Sequence, residues 1–103
     1  MQNKVVVVVG ATGGIGSALT HKLAAEGASL VLAARDSSRL EALAAEIPVV
    51  DQNQVLTVPT DITDPLQVET LMSKSVAQFG QIDVLVNAAG AGVMKQYNKV
   101  EPA

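Results

Sequence analysis

The chain has 103 residues, enough for one small domain, and its net charge of −3 comes with no basic cluster, which argues against nucleic acid as the main partner. It is 49 % hydrophobic but only 2 % aromatic, a balance that suits thin α/β layers. It has no cysteine, which removes disulfides, thiolate metal sites and thiol catalysis. It also has no run of about 18 apolar residues to span a bilayer. The first residues run directly into an apolar segment without a signal-peptide pattern, so the expected location is the cytoplasm, with no membrane partner.

Val5 to Val9 is continuously apolar and β-branched, the pattern of a strand buried on both faces in a parallel sheet covered by helices. Glycines follow at positions 10, 13, 14 and 16, with Thr12 among them, and then an amphipathic segment. A strand, a tight glycine turn and a helix start make a site for a dinucleotide phosphate. Glycine lets the backbone turn sharply and lets a pyrophosphate approach, while the N–H groups and positive dipole end of the helix face the anion. The plainer reading is a purely structural glycine turn. Ile15, Leu19 and Leu23, with Ala18 and Ala24 beside them, predict a helix from Gly14 to about Glu26, buried along that stripe and ended by Gly27. His21 lies off the stripe, far from any second candidate ligand, and is expected at the surface; no metal site is expected.

Ser29 to Ala34 predicts the second strand. Ser38-Arg39-Leu40-Glu41 has the spacing of a capping box, opening a second helix that buries Leu40, Leu43, Ala44 and Ile47 and stops at Pro48. After a loop, Val55 to Pro59 predicts the third strand. Asp64-Pro65-Leu66-Gln67 supplies an N-cap, a proline at the first helical position and a glutamine three residues past the cap. Val68, Leu71, Met72, Val76 and Phe79 form that helix's apolar stripe, and Gly80 stops it. Ile82 to Val86 predicts a fourth strand delivering Asn87-Ala88-Ala89-Gly90. Residues 91–103 have no convincing period and are expected to form an irregular tail of the single domain.

Four of these stretches resemble the short-chain dehydrogenase/reductase family. Gly10-x-x-x-Gly14-Ile15-Gly16 is similar to its cofactor loop, and the same letters fit the Gly10-x-x-Gly13-x-x-Gly16 spacing of its extended branch; Val9 stands where the family usually has Thr. NAD-preferring members usually carry an acid at the place of Ala34, so Ala34-Arg35 resembles the NADP pattern, with Arg35 gripping the 2′-phosphate. Gly13 occupies the place of the family's other common basic anchor. On its own residues, Arg35 could instead pair with Asp36 or Glu41. Asp61-Ile62 resembles the pair that lies against the adenine, Asp61 accepting from the exocyclic amine; alternatively Asp61 or Thr63 helps cap the next helix. Asn87-Ala88-Ala89-Gly90 resembles the family's Asn-Asn-Ala-Gly. The resemblance therefore implies NADP rather than NAD as cofactor, held by Gly10, Thr12, Gly13, Gly14, Ile15, Gly16, Arg35, Asp61, Ile62, Asn87, Ala88, Ala89 and Gly90.

The resemblance also implies a reaction, hydride transfer between a nicotinamide and a carbonyl or alcohol. It uses a Tyr as general acid/base, a Lys in a Tyr-x-x-x-Lys turn, a Ser and an Asn, all beyond the fourth motif. The tyrosine here, Tyr97, is followed four residues later by Glu101, with Lys99 two residues away, so no catalytic residue is assigned. The implied fold is a Rossmann-type parallel α/β sheet truncated to half, βαβαβαβ with strand order 3-2-1-4. Right-handed crossovers put the first two helices on one face and the third on the other. Strand four is then expected to be an apolar edge beside an under-covered face of more than ~600 Å², features that predict a homo-oligomer through either surface. The chain thus reads as the cofactor-binding portion of an oxidoreductase, or as a stand-alone nucleotide-binding or pairing module without activity.

Overall fold

The computed structural model describes residues 2–48, 52–88 and the backbone of 93–96. The elements run β1 (Val5–Val9), α1 (Gly14–Ala25), β2 (Ser29–Ala34), α2 (Ser37–Glu46), a 3₁₀ turn (Gln52–Gln54), β3 (Val55–Pro59), α3 (Pro65–Phe79), β4 (Val84–Asn87) and β5 (Val93–Gln96). The sheet order is β3-β2-β1-β4-β5, parallel throughout except for the β4–β5 pair. The parallel part has the expected order 3-2-1-4.

All five valines of β1 are buried, and the pleat sends them to opposite faces. Val6 and Val8 join Leu30, Leu32, Leu23, Leu40, Leu43 and Ile47 under α1 and α2. Val7 and Val9 join Val31, Val58 and Leu71 under α3, with Met72, Val76 and Phe79 packed alongside. The layers are therefore α/β/α, with two helices on one face and one on the other. At the far end of the sheet from the strand tips, Asp83 ties β4 to β1. It is 9 % exposed, its Oδ2 accepts from the Val5 N–H at 2.8 Å, and its own N–H donates to the Val5 carbonyl at 2.9 Å.

Four expectations are corrected. The buried stripe of α1 is Gly16, Thr20, Leu23 and Ala24, so Ile15 is 68 % exposed and Ala18 is exposed. A Cβ at Gly16 would lie 2.1 Å from the Gly10 carbonyl oxygen, so this glycine seats the helix on the loop and sets its rotation. Thr20 can then be buried because its hydroxyl donates to the Gly16 carbonyl at 2.7 Å. The cap of α2 is Asp36, not Ser38: Asp36 has extended backbone and its carboxylate accepts from the Arg39 N–H at 3.2 Å, while Ser38 is already helical. The fourth strand begins at Val84 rather than Ile82. Finally, β4 is not an edge, because residues 93–96 of the expected irregular tail pair with it antiparallel, Val84 opposite Gln96 and Asn87 opposite Val93. Four residues are too few to show a period, and it is pairing that makes them a strand.

Helix α3 follows its signals closely. Asp64 caps the Leu66 N–H, Pro65 opens the helix, and Gly80 ends it in a left-handed conformation, as does Gly27 after α1. Gln67 departs from the box pattern: its Oε1 accepts from the Asp61 N–H at 2.7 Å and its Nε2 donates to Asp64 Oδ2 at 3.2 Å. His21 is partly exposed and lies 3.3 Å from Glu46, linking α1 to α2. Among the described residues the exposed large apolar side chains are Ile15, Ile62 and Leu66, none of them on a strand.

Candidate dinucleotide-binding cleft

The carboxyl ends of four parallel strands open into one cleft of about 500 Å³. β1 contributes Gly10, Thr12 and Gly13; β2 contributes Ala34, Arg35, Asp36 and Arg39; β3 contributes Thr60 and Ile62; β4 contributes Ala88. Connections leave β1 for β2 on one side while β4 lies on the other, so the cleft sits where the winding of the sheet reverses, the place where open parallel sheets bind ligands.

The glycine loop is built tightly. Gly10 takes φ of 75°, and its N–H and that of Ala11 both donate to the Ala33 carbonyl, at 2.8 and 3.1 Å. Gly13 N–H donates back to the Gly10 carbonyl at 3.2 Å. Gly10 and Gly16 are thus required by the chain's own conformation and packing. Gly14 is not: a Cβ there would have nothing within 4 Å. Helix α1 also differs from α2 and α3 at its start. Aspartates cap those two, whereas Gly13 caps α1 with no side-chain hydrogen bond. Its N-terminal N–H groups and positive dipole end are left to an anion.

The rest of the wall mixes small residues with charged ones, Arg35 and Arg39 beside Asp36, whose Oδ2 lies 4.0 Å from Arg39 Nε. Thr60 is 2 % exposed, its N–H donating to the Ala34 carbonyl and its hydroxyl to the Val58 carbonyl, which fixes the turn out of β3. Ala88 N–H donates to the Val9 carbonyl at 2.8 Å, holding the turn out of β4 beside the glycine loop. Ala34, not an acid, stands at the tip of β2. Arg35 Nη2 lies 3.3 Å from Asp61 Oδ1, so the guanidinium pairs across the mouth with neither Asp36 nor Glu41. Asp61 Oδ1 also accepts from the Thr63 hydroxyl and from the Thr63 N–H at 2.9 Å. These two bonds from Thr63 are the main reason the Asp61 carboxyl is held below its ordinary pKa; partial burial opposes them, and Arg35 adds to them.

Of the residues read from the sequence, Gly10, Thr12, Gly13, Arg35, Ile62 and Ala88 line the cleft, and Asp61 touches it through Arg35. Gly14, Ile15 and Gly16 form the first turn of α1 beside it, and Asn87 lies opposite Val9 at the end of β4. Ala89 and Gly90, like Tyr97, Lys99 and Glu101, lie outside the described residues. Sequence reasoning missed Asp36, Arg39 and Thr60. Arg39 is an intervening position of the expected Ser38–Glu41 capping box; the signal that places it in the cleft is its position in the first turn of the helix leaving β2. Among the described residues no group of three or more His, Cys, Asp or Glu is placed to hold a metal, and no helix is long and apolar enough to cross a membrane.

Comparison with known proteins agrees with this geometry. The family model for short chain dehydrogenases matches residues 4–103. An uncharacterized oxidoreductase of Staphylococcus saprophyticus is 44 % identical over 90 residues, which cover 87 % of this chain and 38 % of the relative. A 3-ketoacyl-(acyl-carrier-protein) reductase from Brucella melitensis, solved with NADH, superposes with a TM-score of 0.75 at 30 % identity over 82 % of this chain and 34 % of its own. The N-domain of a bacterial malonyl-CoA reductase, solved with NADP, gives 0.77 at 34 % identity over 87 % of this chain and 17 % of its own. The chain spans less than two fifths of the curated relative's length. It belongs to the short-chain dehydrogenase family, of whose NAD(P)-binding Rossmann fold it is a fragment.

Proposed function

We propose that the cleft holds NADP(H) in preference to NAD(H), and that the chain is the cofactor-binding portion of an oxidoreductase acting on a carbonyl or alcohol. The observation that carries this reading is the wall beside β2, where Arg35 and Arg39 line the cleft with the small Ala34 and with Asp36, whose Oδ2 lies 4.0 Å from Arg39 Nε, while the start of α1, capped by Gly13 without a side-chain hydrogen bond, borders the same cleft. The N–H groups of that first turn take the pyrophosphate. Arg35, permanently charged and able to donate two N–H groups in parallel, takes the 2′-phosphate, and Arg39 stands in the same wall paired with Asp36 at 4.0 Å. Ile62, 39 % exposed in the wall, covers the adenine. A bound nicotinamide supplies hydride transfer. The chain's own residues bind and orient; the proton-transfer groups are not among them, since Tyr97 is followed by Glu101 where a lysine is needed.

Titrating the chain with NADPH and NADH, with and without Arg35→Ala, tests this. The expected result is tighter binding of NADPH and loss of that advantage in the variant. Binding of neither cofactor would favour a pairing module whose glycine loop serves structure alone.

A further inference from the structure

Arg35 is the anchor proposed for the 2′-phosphate, yet it is engaged by an anion. Its guanidinium lies 3.3 Å from Asp61 Oδ1, with side chains 73 % and 38 % exposed respectively. The two partners differ in freedom. Arg35 is a long side chain near the start of α2. Asp61 is fixed from two directions. Its Oδ1 accepts from both the hydroxyl and the N–H of Thr63, and its own N–H is held at 2.7 Å by Gln67, whose amide is anchored in turn on the Asp64 carboxylate that caps α3. The carboxylate therefore stays in place while the guanidinium can leave.

We propose that Asp61 sets the degree of discrimination between the two dinucleotides by competing with the 2′-phosphate for Arg35, with Thr63 and Gln67 as the residues that keep it in position. The inference rests on the reading of the cleft given above and adds a restraint within it. A phosphorylated ligand must draw Arg35 from Asp61, or share it. An unphosphorylated ligand displaces nothing. Any contact of Asp61 with the adenine is common to both ligands and cancels in their ratio.

The test is a double-mutant cycle on the whole chain, reading the ratio of dissociation constants for NADH and NADPH by nicotinamide fluorescence. Asp61→Asn keeps an acceptor for both Thr63 bonds and removes the charge. It is expected to raise the preference for NADPH about two- to fivefold, the size of an exposed ion pair. In an Arg35→Ala background the same change should leave the ratio within about 1.5-fold. A ratio that is unmoved or falls in Asp61→Asn overturns the proposal while leaving the cleft reading intact. An equal rise in both backgrounds also overturns it, because the carboxylate would then act on the phosphate directly. Binding of neither cofactor to the unaltered chain overturns both readings. Equal melting temperatures for the four chains separate the effect from a folding defect.

Discussion

Gly14 and Gly16 are neighbours in the first turn of α1 but are glycine for different reasons. Gly16 is in contact with the Gly10 carbonyl, so Gly16→Ala forces helix and loop apart and is expected to destabilise the fold by about 1–3 kcal/mol in chemical denaturation. Gly14 faces open space, so Gly14→Ala should leave stability unchanged or slightly raised. It should nevertheless weaken dinucleotide binding about tenfold or more, because the added methyl sits where a pyrophosphate approaches. Equal losses of stability in the two variants would contradict the assignment. Asp61 gives a second prediction at this scale. Its lowered pKa means that its stabilising bonds are fully present above the ordinary value of 3.8 and are lost only as pH falls through the lower, folded value. Stability should not change with this group between about pH 5 and 8. In Thr63→Val the carboxyl should titrate closer to 3.8, as followed by carbon NMR of the side chain.

At the scale of elements, the two ends of the sheet do different work. Asp83 closes the end away from the cleft, and Asp83→Ala strands the Val5 N–H, which should cost about 1–3 kcal/mol with no change in cofactor affinity. Elements with redundant local signals were legible in the sequence. β1 is five β-branched residues in a row, and α3 carries an Asp-Pro start and a glycine stop, so each was bounded by its own residues. What escaped depended on contacts between segments distant in the chain or on a choice between neighbours. The rotation of α1 follows from Gly16 meeting Gly10, so Leu19, Leu23 and Ala24 face the core as expected while Ile15 and Ala18 do not, and Gly16 and Thr20 take the buried places. Asp36 and Ser38 both suit a cap, and only backbone geometry chooses between them. β5 exists by pairing with β4, and the Arg35–Asp61 contact joins loops 26 residues apart. The glycine loop and the strand tips were readable because phosphate binding needs particular residues at particular spacings. Arg39 was not, because its local role near a cap masked its place in the cleft.

At the scale of the molecule, three helices share one sheet, and α3 alone covers one face. Leu71, 1 % exposed, is its central contact, and Leu71→Ala should cost about 2–5 kcal/mol. Self-association remains our proposal, although β4 is paired with β5 and, among the described residues, no exposed large apolar side chain lies on a strand; sedimentation should give a dimer, and a monomer at all concentrations would contradict it. The central claim is that the strand tips form an NADP(H) site with Arg35 as its selective anchor. Fluorescence titration of the chain and of Arg35→Ala with NADPH and NADH tests it most directly. The account predicts that both dinucleotides bind, NADPH more tightly, and that Arg35→Ala brings the two affinities together. Equal affinities in the unaltered chain, or a preference that survives removal of Arg35, would contradict it.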